Sequence, residues 1–237
     1  GQLLVEMQNI YDEPFADSSQ IPTYLVSELT RRKVTVALSG DGGDELFAGY
    51  GRYFWAANLW GKINSIPRSL RQVAACSLTM LSPMAWTTFF RGISPVLPKR
   101  LKLRNPGDKP SKLAEILTVE TVEALYLAIV SHWKSPTEVV LGSREPLTAL
   151  TDRSRWSDSP EVFDRMMHLD MLSYLPDDIL VKVDRASMAV SLEARVPFLD
   201  HRVVEFAWKL PMSVKIHEGQ GKWILRQVLK RYVPAAF

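Results

Sequence analysis

Cysteine occurs once in these 237 residues, at Cys76, so no internal disulfide can brace the fold. Long apolar runs are missing too. The most apolar stretch, residues 73–90, is interrupted by Ser77, Thr79, Ser82 and Pro83 and bracketed by Arg71 and Arg91. A bilayer span needs about 20 largely uninterrupted apolar residues, so this stretch predicts buried helices around a turn, and no membrane partner is expected. No basic-then-apolar leader occurs in these residues, which makes the reducing cytoplasm the expected compartment. Nor does one sign of charge dominate: 29 Lys and Arg against 26 Asp and Glu leave a formal net charge of +3, too balanced to imply a nucleic-acid partner. The local run Lys99, Arg100, Lys102 and Arg104 reads as a solvated face. The four histidines, His132, His168, His201 and His217, share no metal-ligand spacing.

Strand signals are equally scarce. With 46% hydrophobic residues the chain can bury one large core, or one core with a satellite, but almost all of its periodicity is helical. Ser18 or Ser19 can cap a helix with Pro22 in its first turn and Ile21, Leu25 and Leu29 at helical spacing, running to the basic turn Arg31, Arg32, Lys33. Residues 34–38 (Val-Thr-Val-Ala-Leu) are short, β-branched and apolar, and predict one buried strand. Helical patterns then follow from residue 53 to 133, broken at Pro67, Pro83, Pro95 to Pro98 and Asn105-Pro106-Gly107. Residues 134–158 read as loops. Helices return over residues 160–175, 177–192, 200–210 and 221–232. One strand cannot make a parallel α/β domain, because its edges would stay unpaired; either further strands lie elsewhere in a longer protein, or the strand pairs with a partner. A homodimer through that edge is one such arrangement. The start at Gly1, inside the run Leu3, Leu4, Val5 and Met7, suggests a chain cut from something longer.

The chemistry concentrates where the strand ends. Ser39-Gly40-Asp41-Gly42-Gly43-Asp44-Glu45 lies between the strand and a helical pattern (Leu46, Phe47, Tyr50), the arrangement in which open α/β sheets bind nucleotides. Glycines let backbone N–H groups approach phosphate oxygens, and the helix offers its positive end. Three acids stand in the same loop. Bare carboxylates repel phosphates, so Asp41, Asp44 and Glu45 beside a phosphate cradle imply Mg²⁺, which takes carboxylate and phosphate oxygens together. The plainer alternative is that Asp41 and Asp44 form a turn and cap a helix.

Four strings extend this loop. Ala37-Leu38-Ser39-Gly40-Asp41-Gly42-Gly43-Asp44-Glu45-Leu46-Phe47-Ala48-Gly49-Tyr50 resembles the second nucleotide motif of the glutamine-hydrolysing asparagine synthetase family, and Glu13-Pro14-Phe15-Ala16-Asp17-Ser18-Ser19 resembles the segment before it. Asp184-Arg185-Ala186-Ser187-Met188 with Leu192-Glu193-Ala194-Arg195-Val196-Pro197-Phe198-Leu199-Asp200 is a third match, and Gly221-Lys222-Trp223-Ile224-Leu225-Arg226 a fourth. They stand in the family's order at both ends of the chain, while residues 55–160 match no motif.

The resemblance implies a fragment of the C-terminal ATP-dependent synthetase domain. Its parent fold is α/β, adenine nucleotide alpha hydrolase-like with a Rossmann-like parallel sheet, truncated here to a mostly helical chain with few strands. The implied cofactors are ATP and Mg²⁺; the implied substrates are aspartate or a similar carboxylate, ATP, and ammonia from a glutaminase domain. Ser39 and Gly40 match the pair that contacts the adenylate, with Gly42 and Gly43 completing the cradle, and Asp44 matches the acid that binds Mg²⁺ and pyrophosphate. Asp41 falls where relatives carry Glu or Tyr close to the reacting carboxylate, and is a methylene shorter than Glu. Lys222 matches a lysine that holds the ATP phosphates, and a compact ammonium suits that task; a solvated lysine at a helix start is the plainer reading. Asp177 or Asp178 lies where relatives place an acid that helps handle the incoming amine, with a spacing to Asp184-Arg185 different by about one residue. Glu193, Arg195 and Asp200, crowded against Val196, Phe198 and Leu199, read as a paired, partly buried clamp. Glu193 stands with Asp41 and Asp178 as a catalytic candidate.

These matches divide the chain into a nucleotide-binding remnant (1–52), a variable helical region (53–159) and a helical synthetase region (160–237). No Ser-Gly-Gly-x-Asp-Ser loop occurs in these residues, Cys76 does not match a glutaminase nucleophile, and the family's catalytic lysine would lie past Phe237. The expected activity therefore belongs to a longer protein, with this fragment inactive. Another carboxylate acceptor, such as a sugar acid or a β-lactam precursor, or a non-catalytic helical interaction module, are the rival expectations.

Overall fold

A computed structural model describes residues 2–93, 109–131, 133 and 136–234 of the chain. The basic run at residues 99–104, the breaks at 95–98 and 105–107 and His132 lie outside the described residues. In chain order the elements are α1 (Gln2–Tyr11), α2 (Gln20–Arg31), β1 (Val36–Leu38), α3 (Gly43–Leu46), α4 (Gly51–Asn64), α5 (Arg68–Thr79), α6 (Pro83–Ile93), α7 (Lys109–Thr118) and α8 (Val122–Val130). They continue with α9 (Val162–Leu172), α10 (Leu180–Met188), β2 (Glu193–Arg195), α11 (His201–Lys209), α12 (Met212–Lys215) and α13 (Trp223–Leu229). Short 3-10 turns punctuate the expected loop region at Pro136–Glu138 and Arg153–Arg155.

The chain forms two compact units, one from residues 1–53 and 146–237, the other from residues 54–145. In the first, Met7 and Tyr11 point inward from α1 at i,i+4 spacing, and α10 packs against α1, α2 and β2. A separate cluster joins Leu46 and Phe47 of α3 and its end to Ala207 of α11, with Met171, Phe198, Trp208, Ile224 and Leu225 around them. This cluster fixes the helix that follows the glycine loop. Lys215 is fully buried beside it, its ammonium 5.1 Å from the Trp208 ring centre and 4.0 Å from Asp164. Burial pushes its pKa down against the pull of Asp164.

In the second unit α5 lies along α7. The Arg71 guanidinium donates to the Val119 carbonyl (2.9 Å), and Thr121 caps α8 by accepting from the Ala124 amide (3.2 Å). The apolar stretch 73–90 does form two helices around a turn, as its Pro83 and Ser82 predict, and the Trp86 indole donates to the Leu78 carbonyl across it (2.9 Å). It is not buried as expected: Val73, Met80, Met84 and Phe89 are exposed, and so is Cys76. No single helix among the described residues is long and apolar enough to cross a membrane.

Three further expectations are corrected. The strand is not alone: β1 pairs in parallel with β2, Val36 opposite Glu193 and Leu38 opposite Arg195. The charged composition of Glu193-Ala194-Arg195 hides β2 from any apolar strand signal. Nor is the strand buried, since Val36 and Leu38 are both exposed, Leu38 at 74%. And Ser19, though it occupies the N-cap of α2, makes no side-chain cap bond; its amide and hydroxyl both donate to Asp17 Oδ1 at 2.7 Å.

Candidate functional site

β1 delivers Ser39 to the end of the small sheet, where its amide donates to the Arg195 carbonyl (2.8 Å) and so ties the loop to β2. The chain then turns through Gly42, whose φ of +80° is left-handed and whose added Cβ would lie 2.7 Å from Leu199. From this turn α3 starts, with Leu46 donating to the Gly42 carbonyl (3.0 Å). Gly43 donates back to Gly40 (3.3 Å), which leaves the amides of Gly40, Asp41 and Gly42 without an internal acceptor among the described residues. A Cβ on Gly40 would meet nothing within 4 Å. Of the three, Gly40 is exposed, Asp41 half-buried and Gly42 buried, and backbone donors without an acceptor at a glycine turn make a concavity that suits an anion.

The far side of this concavity is built by residues 221–222, more than 170 positions along the chain. Lys222 caps α13 in a left-handed conformation (φ 57°), its amide donates to the Phe47 carbonyl (2.8 Å), and its ammonium lies 2.8 Å from Asp44 Oδ2. Both side chains keep about a third of their surface in solvent, 30% for Lys222 and 32% for Asp44. The two segments approach so closely that a Cβ on Gly221 would sit 1.9 Å from the Ala48 carbonyl oxygen. Backbone cannot yield there as a flexible side-chain tip could. Gly221→Ala is therefore expected to destabilise the chain by about 1–3 kcal/mol in urea unfolding, while Gly40→Ala, with open space around it, should change stability by less than about 0.5 kcal/mol.

The three loop acids do not act alike. Asp41 accepts a short hydrogen bond from the Ser39 hydroxyl. Glu45 turns away from the concavity: it is buried and accepts from the Tyr50 hydroxyl (2.7 Å), and burial raises its pKa. The expectation of three acids facing one ligand is thus corrected for Glu45, while Asp41 and Asp44 stay half-exposed in the loop. One or two half-exposed carboxylates on a glycine turn fit Mg²⁺, which takes that number from a protein and fills its other positions with phosphate and water. Among the described residues no group of three or more His, Cys, Asp or Glu could enclose a metal by itself.

Behind Glu45 a polar network continues. The Arg52 guanidinium stacks over the rings of Tyr50 (4.1 Å) and Tyr174 (4.4 Å) and donates to Asp170 Oδ2 (2.5 Å), which also accepts from the Tyr53 hydroxyl (2.5 Å). Asp170 is buried. Tyr174 leads into a π-helical turn at Leu175–Ile179, which carries the two candidate acids. A π turn accommodates one extra residue in a helix, and this one falls where the spacing to Asp184-Arg185 differs by about one. It also separates the acids: Asp177 is exposed, whereas Asp178 is turned inward, 4.0 Å from the Lys182 ammonium, which is paired with Asp17.

Glu193, Arg195 and Asp200 do not form the partly buried clamp expected of them. Glu193 and Arg195 pair with each other across 2.7 Å on the exposed face of β2, with 55% and 62% of their side chains in solvent. Asp200 pairs with Arg202 instead (2.7 Å) and caps α11 by accepting from the Arg202 amide. In a strand, side chains two apart share a face, and that geometry joins 193 to 195. Sequence reading had no signal for Arg52–Asp170, which meet across 118 positions. Lys182 carried a faint one, lying four residues after Asp178 on the same helical face.

The family model described as asparagine synthase matches residues 2–237. Asparagine synthetase [glutamine-hydrolyzing] 1 of Bacillus subtilis is 34% identical over 227 residues, covering 94% of this chain and 32% of that relative. A putative asparagine synthetase [glutamine-hydrolyzing] of Mycobacterium tuberculosis is 33% identical over 228 residues, 94% of this chain and 31% of the relative. Amidase chyE of Penicillium rubens is 26% identical over 221 residues, 84% of this chain and 30% of its own. The chain thus spans about a third of the length of the curated relatives it matches. No solved structure matches it.

Proposed function

The chain belongs to the asparagine synthase family, and from that premise we propose that it is the nucleotide-handling part of a longer ATP-dependent ligase that activates a carboxylate, aspartate in the first instance, and amidates it. The observation that carries this reading is the meeting of Asp44 and Lys222 at 2.8 Å across the mouth of the glycine loop. Two of the family-like strings, remote in sequence, supply opposite charges to one concavity, as triphosphate and a divalent ion require. Residues 1–52 and 160–237 supply that site in this reading, and residues 53–159 are its variable helical region. The exposed two-stranded sheet is the part of an adenine nucleotide alpha hydrolase-like parallel sheet that this chain contributes.

The proposed reaction has two steps. A substrate carboxylate oxygen attacks the α-phosphorus of ATP, giving an acyl-adenylate and pyrophosphate. Ammonia then attacks the acyl carbon, AMP leaves with the C–O electron pair, and the nitrogen gives up a proton. Ser39 and the amides of Gly40 to Gly42 cradle the nucleotide, Lys222 neutralises phosphate charge, and Asp178 receives the proton; Asp41 stands near the acyl centre, held by Ser39. Most of the rate enhancement comes from placement and fixed charge. Asp44 would hold Mg²⁺, which when bound would supply charge neutralisation on pyrophosphate.

The test is an assay of the full-length protein with aspartate, glutamine and ATP. Asparagine appearing one for one with AMP supports the reading; AMP formed only with another acid, such as a sugar acid, keeps the ligase and replaces the acceptor; no acyl-dependent AMP at all removes it. For the 237-residue chain by itself, the strand that leads to Ser39 stays exposed at Val36 and Leu38. Calorimetry of this chain with ATP and Mg²⁺ is expected to show no saturation at micromolar concentrations.

A further inference from the structure

The segment Glu13 to Ser19 has no role in the reaction proposed above, yet it places the Asp17 carboxylate on Lys182, beside the π-helical turn. Asp17 is held on two sides. Its Oδ1 accepts from the amide and hydroxyl of Ser19, and its Oδ2 accepts a short hydrogen bond from the buried Lys182 ammonium. Lys182 in turn lies 4.0 Å from Asp178 Oδ1, an atom that is buried and takes no hydrogen-bond donor from the protein. The Tyr11 hydroxyl donates to the Lys182 carbonyl (3.2 Å) and fixes the backbone at that point.

We propose that Asp17 and Lys182 are positioning residues for Asp178, forming with it a triad in which the Lys182 ammonium, anchored by Asp17, lies beside the Asp178 carboxylate and holds it as the proton acceptor. The inference rests on the amidating role given above to Asp178. In that step the C–N bond forms, the C–O bond to AMP breaks with its electron pair leaving on the phosphate oxygen, and the proton released by nitrogen passes to the Asp178 carboxylate.

The electrostatics agree with the geometry. Asp17 is held at about 2, burial raising it but the hydrogen bonds from Lys182 and Ser19 prevailing. Asp178 moves the other way, raised first by burial and then by the Asp17 charge, with Lys182 and Arg52 pulling it back. The group with the higher proton affinity, Asp178, is the better proton acceptor of the two once ionised, while Asp17 stays charged and holds the ammonium. The titratable groups around Asp178 are Tyr11 from α1, Asp17 from the loop after it, Arg52 from α4, Tyr174 from the π turn and Lys182 from α10. Tyr11 and Tyr174 are themselves raised, chiefly by burial, and stay neutral while Asp178 titrates.

The signs are fixed by charge. Asp178 must be ionised to accept a proton, so the amidation rate has an acid limb set by its protonation. Removing the Asp17 charge eases that ionisation, and removing the Lys182 charge hinders it. In the full-length protein, Asp17→Asn should move the acid limb of the ammonia-dependent step to lower pH and Lys182→Met to higher pH, with Lys182→Arg restoring the original limb. Acyl-dependent pyrophosphate release, measured without ammonia, is the companion readout: variants that retain it are folded, and its pH profile should not move. Equal losses at every pH, or limbs that shift the same way in both variants, would overturn the triad while leaving the ligase intact. Should the full-length protein amidate nothing, carbon-13 titration of the Asp178 carboxyl in this chain decides the matter: opposite shifts in the two variants uphold the triad, and no shift removes it.

Discussion

Lys222→Met in the full-length enzyme should lower kcat/KM for ATP by about 10²–10³-fold, the loss typical when one fixed charge that stabilises a transition state is removed. Methionine keeps the unbranched apolar stem as far as Cε and lacks the terminal ammonium, so the change removes the charge with little loss of packing. Asp44→Ala should cost a comparable factor. Because the two groups lie 2.8 Å apart and serve one triphosphate, the double variant should lose much less than the product of the single losses. For Lys222→Met, kcat and kcat/KM are expected to fall together; a rise in KM with kcat unchanged would mean that Lys222 binds ground state and transition state alike. Full activity in either single variant would remove the enzyme role proposed for this concavity.

Asp170→Ala is the substitution expected to cost most stability, about 3 kcal/mol, read as the shift in the urea midpoint at constant slope. The carboxylate is only 2% exposed in its side chain, and it accepts from both Arg52 and Tyr53. Deleting it leaves a guanidinium and a phenol facing a hole where an acceptor stood, and the guanidinium, only a quarter exposed, cannot turn fully to water. Asp170→Asn keeps an acceptor and should cost about half as much. Arg52 is also the plate between Tyr50 and Tyr174, so the loss should propagate to Glu45, whose buried carboxyl depends on Tyr50. A change below about 1 kcal/mol for Asp170→Ala would show that the network is not what holds the end of α3 to α9.

Much of the local architecture was legible from residues alone. Pro67 and Pro83 mark the starts of α5 and α6 because proline cannot supply the amide that a continuing helix needs. Gly42 marks the turn into α3 because a left-handed backbone suits glycine. The helix after Gly221-Lys222 follows from its own apolar spacing, and appears as α13. In contrast β2, three residues with charged ends, has no strand pattern of its own. It exists because β1 offers it a ladder, from Thr35 accepting the Glu193 amide to Arg195 accepting the Ser39 amide.

The candidate site divides along the same line. A strand, a glycine turn and a short helix are interactions within a few residues of each other, so the turn at Ser39 to Gly43 between β1 and α3 was legible from its own residues. What the chain order could not reveal is which charges face one another. Asp44 and Glu45 are neighbours in sequence, yet one points to Lys222 and the other into the core at Tyr50. Asp177 and Asp178 are neighbours too, and a π turn sends one to water and the other to Lys182 and Asp17. Those choices belong to tertiary structure, because the free energy of a charge is set by what packs around it rather than by what precedes it along the backbone.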